Sequence, residues 1–280
     1  MAKRKQENPI SEMPLQVGTV PYCNAWPLVH YLPSRLSGML LSEWFPSEMR
    51  LRLMAHHLDL ALMPVAELMN LPYGKIVGNG CIACRGPVQS VRLISKKPIE
   101  KIKTISLDTA SRSSITICEL LLRHFYDLRP TRYKLSADKP LDDCQTDAFV
   151  VIGDRALAFN PSARWEHCFD LGELWLEKTG LPLVFAAWIA CTDRAYGSAE
   201  IIHALQEARD HGTANIPQIL AERDPKTFPV SRDEVFTYLN DSIVYQLGDE
   251  EMRGLQSFFD LALLHGFAKH RTVVDVVEAG

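Results

Sequence analysis

The chain has 280 residues, 47% of them hydrophobic and 23% charged, with a net charge of −4. That is ordinary globular material, long enough for one large domain or two modest ones, and neither disordered nor fibrous. No long run of one charge occurs, which argues against a nucleic-acid partner and the basic footprint it requires.

Lys3, Arg4 and Lys5 resemble the charged start of a secretory leader, but only Gln6 to Pro14 follows, with no apolar stretch. Residues 1–14 therefore read as a disordered tail. Gln16 to Val20 is a short apolar strand stopped by Pro21, and Ala25 to Leu32 follows as a helix. Asn24 stands where a helix N-cap is expected. Leu40 to Phe45 reads as a second strand. Ser47 then opens a helix whose Leu51, Met54, Ala55 and Leu58 make a buried stripe. Leu58 to Met63 is a third strand, ending at Pro64, with a short helix at Ala66 to Met69. This β-α-β-α-β order predicts a mostly parallel sheet covered by helices.

Ile76 to Ala83 and Val88 to Ser95 also read as strands, followed by a polar break at Lys96 to Pro98. Thr104 to Leu107 is a strand that runs into Asp108-Thr-Ala-Ser-Arg-Ser-Ser114. The helix after it buries Ile115, Cys118, Leu121, Leu122 and Phe125. Ala148 to Ile152 is a strand ending in Gly153-Asp154. The longest apolar run, Leu181 to Cys191, is too short to span a bilayer, so no membrane partner is expected. Beyond it the chain reads as helical, with a capping box at Ser231 and Glu234 and a stripe of Met252, Leu255, Phe258, Phe259 and Leu263.

Two β-α series thus meet near Lys97. They predict an α/β protein of two lobes with a ligand cleft between them. The first lobe takes residues 15–96 and 190–280. The second, inserted, takes 97–189. The crossings are expected near Ser95–Pro98 and Ala187–Cys191. Ligands bind beyond the carboxyl ends of strands in such sheets, which selects three turns: Pro21–Trp26, Asp108–Ser114 and Gly153–Asp154.

Thr109 to Ser114 places four hydroxyls and one arginine at a helix start. Free N–H groups and the helix dipole favour an anion there, and Arg112 can grip a carboxylate with two parallel hydrogen bonds. The same residues also serve as plain caps. Asn24 either caps its helix or orients a substrate hydroxyl, and Tyr22 either packs or touches the ligand. Asp108 and Asp154 each end a strand, as a base or as a turn cap. Seven cysteines, an odd count, argue against a disulfide framework and for a cytoplasmic protein with reduced thiols. Cys81 and Cys84 form a lone CxxC whose side chains leave opposite faces of a strand, so no metal is expected. No nucleotide, metal-hydrolase or serine-hydrolase motif is present, and no cofactor is expected.

Six segments resemble a known family when taken in order: Val17-Gly-Thr-Val-Pro-Tyr-Cys-Asn24, Asp59-Leu-Ala-Leu-Met-Pro-Val65, Ser90-Val-Arg-Leu-Ile-Ser95, Leu107-Asp-Thr-Ala-Ser-Arg-Ser-Ser114, Ile152-Gly-Asp154, and Asp170-Leu-Gly-Glu-Leu-Trp175 with Thr179-Gly-Leu-Pro182. They are similar to chorismate dehydratase, the first enzyme of the futalosine route to menaquinone, over Leu15 to Phe267. The resemblance implies a type 2 periplasmic-binding-protein-like fold. It implies a lyase that removes water from chorismate to give 3-[(1-carboxyvinyl)oxy]benzoate without cofactor; a monomer or homodimer is expected. The family's asparagine falls on Asn24, its serine before the Val-x-Leu strand on Ser90, and its hydroxyl-rich turn on Thr109 to Ser113.

On that resemblance, Asn24 positions the leaving hydroxyl, Ser90 hydrogen-bonds substrate, and Ser111, Arg112 and Ser113 hold a carboxylate. Tyr22, Thr109 and Gly153 complete the binding wall. The base is either Asp154 or the substrate's own enolpyruvyl carboxylate. Cys23 and Ala110 depart from the family, where leucine and serine are common. Two alternatives stand beside this reading. One is the sister enzyme that makes a dihydroxynaphthoate, whose opening motif is Ser-Pro-Cys-Pro-Asn-Asp-like. The other is a non-catalytic small-anion-binding protein. A regulator's effector domain is disfavoured because no DNA-binding segment precedes the first strand.

Overall fold

The structure, a computed structural model, describes residues 14–107, 112–135, 140–192 and 198–279. Strand β1 (Leu15–Thr19) stops before Pro21, and a tight 3-10 turn, Cys23–Ala25, leads to helices α1 (Trp26–Val29) and α2 (Leu32–Arg35). The single helix expected over Ala25–Leu32 is broken after Val29. Pro33 has no N–H to offer the Val29 carbonyl, so the helix restarts with that proline in its first turn. Strand β2 (Met39–Glu43), helix α3 (Pro46–Met54) and strand β3 (Leu60–Pro64) follow, then a 3-10 segment, Val65–Asn70. The stripe on α3 differs from expectation. Met49 and Leu53 are buried, while Leu51 and Met54 are 58% and 47% exposed, because the helix ends at Met54 and turns its i, i+4 pair inward.

The chain continues through β4 (Lys75–Cys84), β5 (Val91–Ser95), β6 (Thr104–Leu107), α4 (Arg112–Leu120), β7 (Thr131–Lys134), β8 (Ala148–Ile152), α5 (Gly153–Ala158), β9 (His167–Asp170), α6 (Leu171–Thr179) and β10 (Leu183–Ala190). It closes with α7 (Ala199–Ala214), α8 (Ile216–Glu222), α9 (Arg232–Thr237), β11 (Val244–Gln246), α10 (Asp249–Leu264) and β12 (Val276–Val277). The Ser231–Glu234 capping box is present at the start of α9.

Two sheets organise the molecule. The first runs β11-β4-β10-β3-β1-β2, with β12 also beside β4, and the second runs β7-β6-β8-β5-β9. β1 is parallel to β2 and β3, as the β-α-β reading requires, but β10 enters antiparallel between β3 and β4. The sheets divide the chain elsewhere than expected. β5 pairs with β8 and β9 in the second sheet, and β10 belongs to the first. The chain therefore crosses over residues 85–90 and 180–182, ahead of Ser95–Pro98 and Ala187–Cys191. The Lys96–Pro98 break is a turn inside the second lobe. Lys96 N–H donates to the Asp147 carbonyl and the Ser95 hydroxyl to the Lys97 carbonyl, so its polar groups are satisfied locally.

Asp170 fixes the first crossing. Its carboxylate accepts from the N–H groups of Val88 and Gln89 and, as the N-cap of α6, from those of Gly172 and Glu173. Apolar packing is continuous from one lobe to the other. A smaller cluster of Ile94, Phe149, Val151 and Trp165 lies apart from it in the second lobe.

Candidate active site

A cavity opens between the two sheets. The first lobe supplies Val20, Tyr22 and Asn24 after β1, Pro64 at the end of β3, and Phe185 and Ala186 of β10. The second supplies Val91, Ile152, Gly153 and Ser114, and the crossing supplies Val88 and Ser90. Most of this wall is apolar, so its few polar groups have low-dielectric surroundings and set the orientation of whatever binds.

Those polar groups are joined. The Asn24 Nδ2 donates to the Tyr238 hydroxyl at 3.1 Å, and that hydroxyl donates to Ser90 Oγ at 2.7 Å. Tyr238 is 1% exposed and starts a wide π turn, Tyr238–Ser242, that continues α9. Burial holds its phenol well above the ordinary range, so it is a neutral donor. Asn24 Oδ1 is buried and has no partner among the described residues. The cap expected of Asn24 is not made: Ala25 is the N-cap of α1, without a side-chain cap, and the Asn24 amide turns to Tyr238 instead.

Gly153 joins the crossing to the second lobe. Its N–H donates to the Ser90 carbonyl at 2.8 Å, and its φ is +63°. A Cβ there would stand 3.0 Å from the Tyr22 ring, so glycine is what lets β8 turn against that wall. Asp154, next in sequence, is not part of the cavity lining. Its carboxylate reaches across to the first lobe and accepts from the Cys23 N–H at 3.1 and 3.3 Å. Burial raises it above the usual carboxylate range, although the hydrogen bonds from Cys23 oppose the shift. Burial, reinforced by the Asp154 charge, pushes the Cys23 thiol far up, so it is no nucleophile.

The anion-binding turn is placed in part. Thr109 and Ser111 lie outside the described residues, as does Asp108. Arg112 opens α4 with its Nε 3.3 Å from Glu67 Oε1, and Arg50 Nε stands 3.1 Å from Glu67 Oε2. Burial holds the Glu67 carboxyl above the usual range even between these two guanidinium groups. Arg112 thus faces a protein carboxylate rather than the cavity lining, with its side chain 56% exposed. Ser113 also departs from expectation. It is fully buried and its Oγ accepts from the Ala66 N–H at 3.0 Å, which spends it on interlobe packing. Ser114, one residue on, lines the cavity instead.

Tyr22, Asn24, Ser90 and Gly153 are therefore brought together, while Arg112, Ser113 and Asp154 are held beside them by other partners. Tyr238 is absent from the sequence reading, and no local motif marks it. Cys81 and Cys84 are buried free thiols. Among the described residues no group of three or more His, Cys, Asp or Glu side chains is placed to hold a metal. No helix among them is long and apolar enough to cross a membrane.

Comparison with known proteins agrees with this architecture. A protein from Archaeoglobus fulgidus superposes with a TM-score of 0.72 at 13% identity, covering 90% of this chain and 98% of that one. The periplasmic aliphatic sulphonate binding protein SsuA of Escherichia coli gives 0.64 at 16% identity, covering 94% and 96%. These likenesses establish the periplasmic-binding-protein fold. A chorismate dehydratase from Thermus thermophilus is 27% identical over 268 residues, 88% of this chain and 94% of that protein. Residues 15–263 match the family described as menaquinone biosynthesis, and the chain belongs to that family.

Proposed function

We propose that this protein is a lyase that removes water from chorismate to give 3-[(1-carboxyvinyl)oxy]benzoate. The observation that carries the reading is the Asn24–Tyr238–Ser90 array at one apolar cavity between lobes. Family membership and the likeness to the Thermus thermophilus chorismate dehydratase support it.

Loss of the ring hydroxyl and a neighbouring ring hydrogen makes the ring aromatic. The reaction is downhill and asks the protein mainly for orientation, a place for the departing oxygen and a base. Asn24 Oδ1 accepts from the hydroxyl, and Ser90 donates to the substrate. One carboxylate binds at the start of α4, where N–H groups and the helix dipole favour an anion, through Thr109, Ser111 and Arg112, the last giving up its contact with Glu67 to do so. Among the described residues, the cavity lining contains no carboxylate, imidazole or amine. The substrate's own enolpyruvyl carboxylate serves as the base, Asp154 being engaged by the Cys23 N–H. It takes the ring proton, the C–O electron pair leaves with the oxygen, and the proton passes to that oxygen to complete a water molecule.

Incubating the purified protein with chorismate tests this directly: an aromatic product one water lighter should accumulate. Folded protein that yields none, or that binds chorismate unchanged as a solute-binding protein would, ends the dehydratase reading. For the roles, Asn24→Ala should lower kcat about 100-fold with little change in KM. Arg112→Ala should raise KM about tenfold and leave kcat nearly intact. The reverse pattern removes both assignments.

A further inference from the structure

We infer that Tyr238 is the positioning residue of this cavity: its hydroxyl makes Asn24 an acceptor and Ser90 a donor toward the bound substrate. The inference rests on the dehydratase reading and adds to it a residue that no cavity-facing motif contains.

A phenol has one hydrogen, and that of Tyr238 goes to Ser90 Oγ at 2.7 Å. The oxygen it leaves open accepts from Asn24 Nδ2 at 3.1 Å. Each end of this chain is thereby given one direction. One Asn24 amide hydrogen goes to Tyr238, which fixes the amide's orientation, and its Oδ1 is buried and unpartnered among the described residues, an acceptor left for a substrate hydroxyl. Ser90 Oγ is engaged as an acceptor, so its own hydrogen is what it can offer the cavity it lines. A substrate that presents a hydroxyl hydrogen to one and an oxygen lone pair to the other satisfies both. The chain ties Asn24 in the β1 turn and Ser90 at the crossing to one buried hydroxyl of the closing helices. Tyr238 needs no contact with substrate to act.

Tyr238→Phe keeps the ring and deletes the hydroxyl. We expect kcat with chorismate to fall about 10- to 100-fold, KM to move less than about threefold and the melting temperature to stay within a few degrees. The decisive readout is a mutant cycle. In an Asn24→Ala/Ser90→Ala background, Tyr238→Phe should cost less than about threefold, because the groups it acts through are gone. Equal losses in both backgrounds, or wild-type-like turnover in Tyr238→Phe, overturn the inference while leaving the dehydratase reading intact. If Tyr238→Phe does not fold, 3-fluorotyrosine at position 238 replaces it. That residue keeps the hydroxyl as a stronger donor, and an unchanged kcat overturns the inference. If wild type binds chorismate without turning it over, the dehydratase reading fails. The same cycle is then scored on chorismate affinity by calorimetry, where additivity again overturns the inference. Wild type that neither binds nor converts chorismate overturns both.

Discussion

Tyr245 lies on β11, its hydroxyl buried and without a partner among the described residues, in the same polar neighbourhood as Tyr238, Cys23 and Cys81. A buried donor that makes no hydrogen bond costs on the order of 1–3 kcal/mol. Tyr245→Phe should therefore stabilise the protein by about 1 kcal/mol, seen as a higher urea midpoint at unchanged slope. A lower midpoint would mean the hydroxyl is satisfied in solution. Individual residues were legible in the sequence where they end strands. Tyr22, Asn24 and Gly153 follow strand ends, and the rule for open α/β sheets places them at a cleft, whereas Ser90 was marked only by the family resemblance. The partner of Asn24 was not legible, because Tyr238 is 214 residues away in a helical stretch whose pattern records only burial. Ser113 and Ser114 show the limit within one motif. Adjacent residues on a helix diverge by about 100°, so one serine faces Ala66 and the other the cavity, which residue type alone does not decide.

Elements were legible where apolar runs are continuous, as in β3, β8 and β10, because strands buried on both faces need no alternation. β7 is exposed throughout, and β11 and β12 have three and two residues, so pairing rather than propensity makes them strands. The junction of β8 and α5 carries a sharper claim. Gly153 sits at φ +63° with the Tyr22 ring where a Cβ would go. Gly153→Ala should cost about 1–2 kcal/mol for the left-handed backbone alone. It should also displace Tyr22 from the cavity wall and so raise KM for chorismate. Equilibrium unfolding and steady-state kinetics on the one variant check both parts. A variant with wild-type stability would show that the turn relaxes to another conformation.

Asp154 to the Cys23 N–H, Ser113 to the Ala66 N–H and Arg112 to Glu67 tie the lobes together across the cavity's edge. The role of Asp154 can be separated by pH. Burial raises its carboxyl above its ordinary value of 3.8, so the folded protein holds that proton at pH values where the unfolded chain has released it. Its favourable contribution is complete below that value and is lost as pH rises through the folded pKa. Asp154→Asn keeps an oxygen for the Cys23 N–H and never becomes charged. It should match wild type in stability near pH 4 and become progressively more stable toward pH 7. Urea midpoints across that range measure the difference, and a gap that stays flat or closes with rising pH refutes the assignment. The same variant bears on the chemistry. If Asp154 is an interlobe latch, Asp154→Asn turns over chorismate within about threefold of wild type, since the substrate's carboxylate takes the ring proton. If Asp154 were the base, removing its proton-accepting form would cost the roughly 100- to 10,000-fold that general-base catalysis contributes.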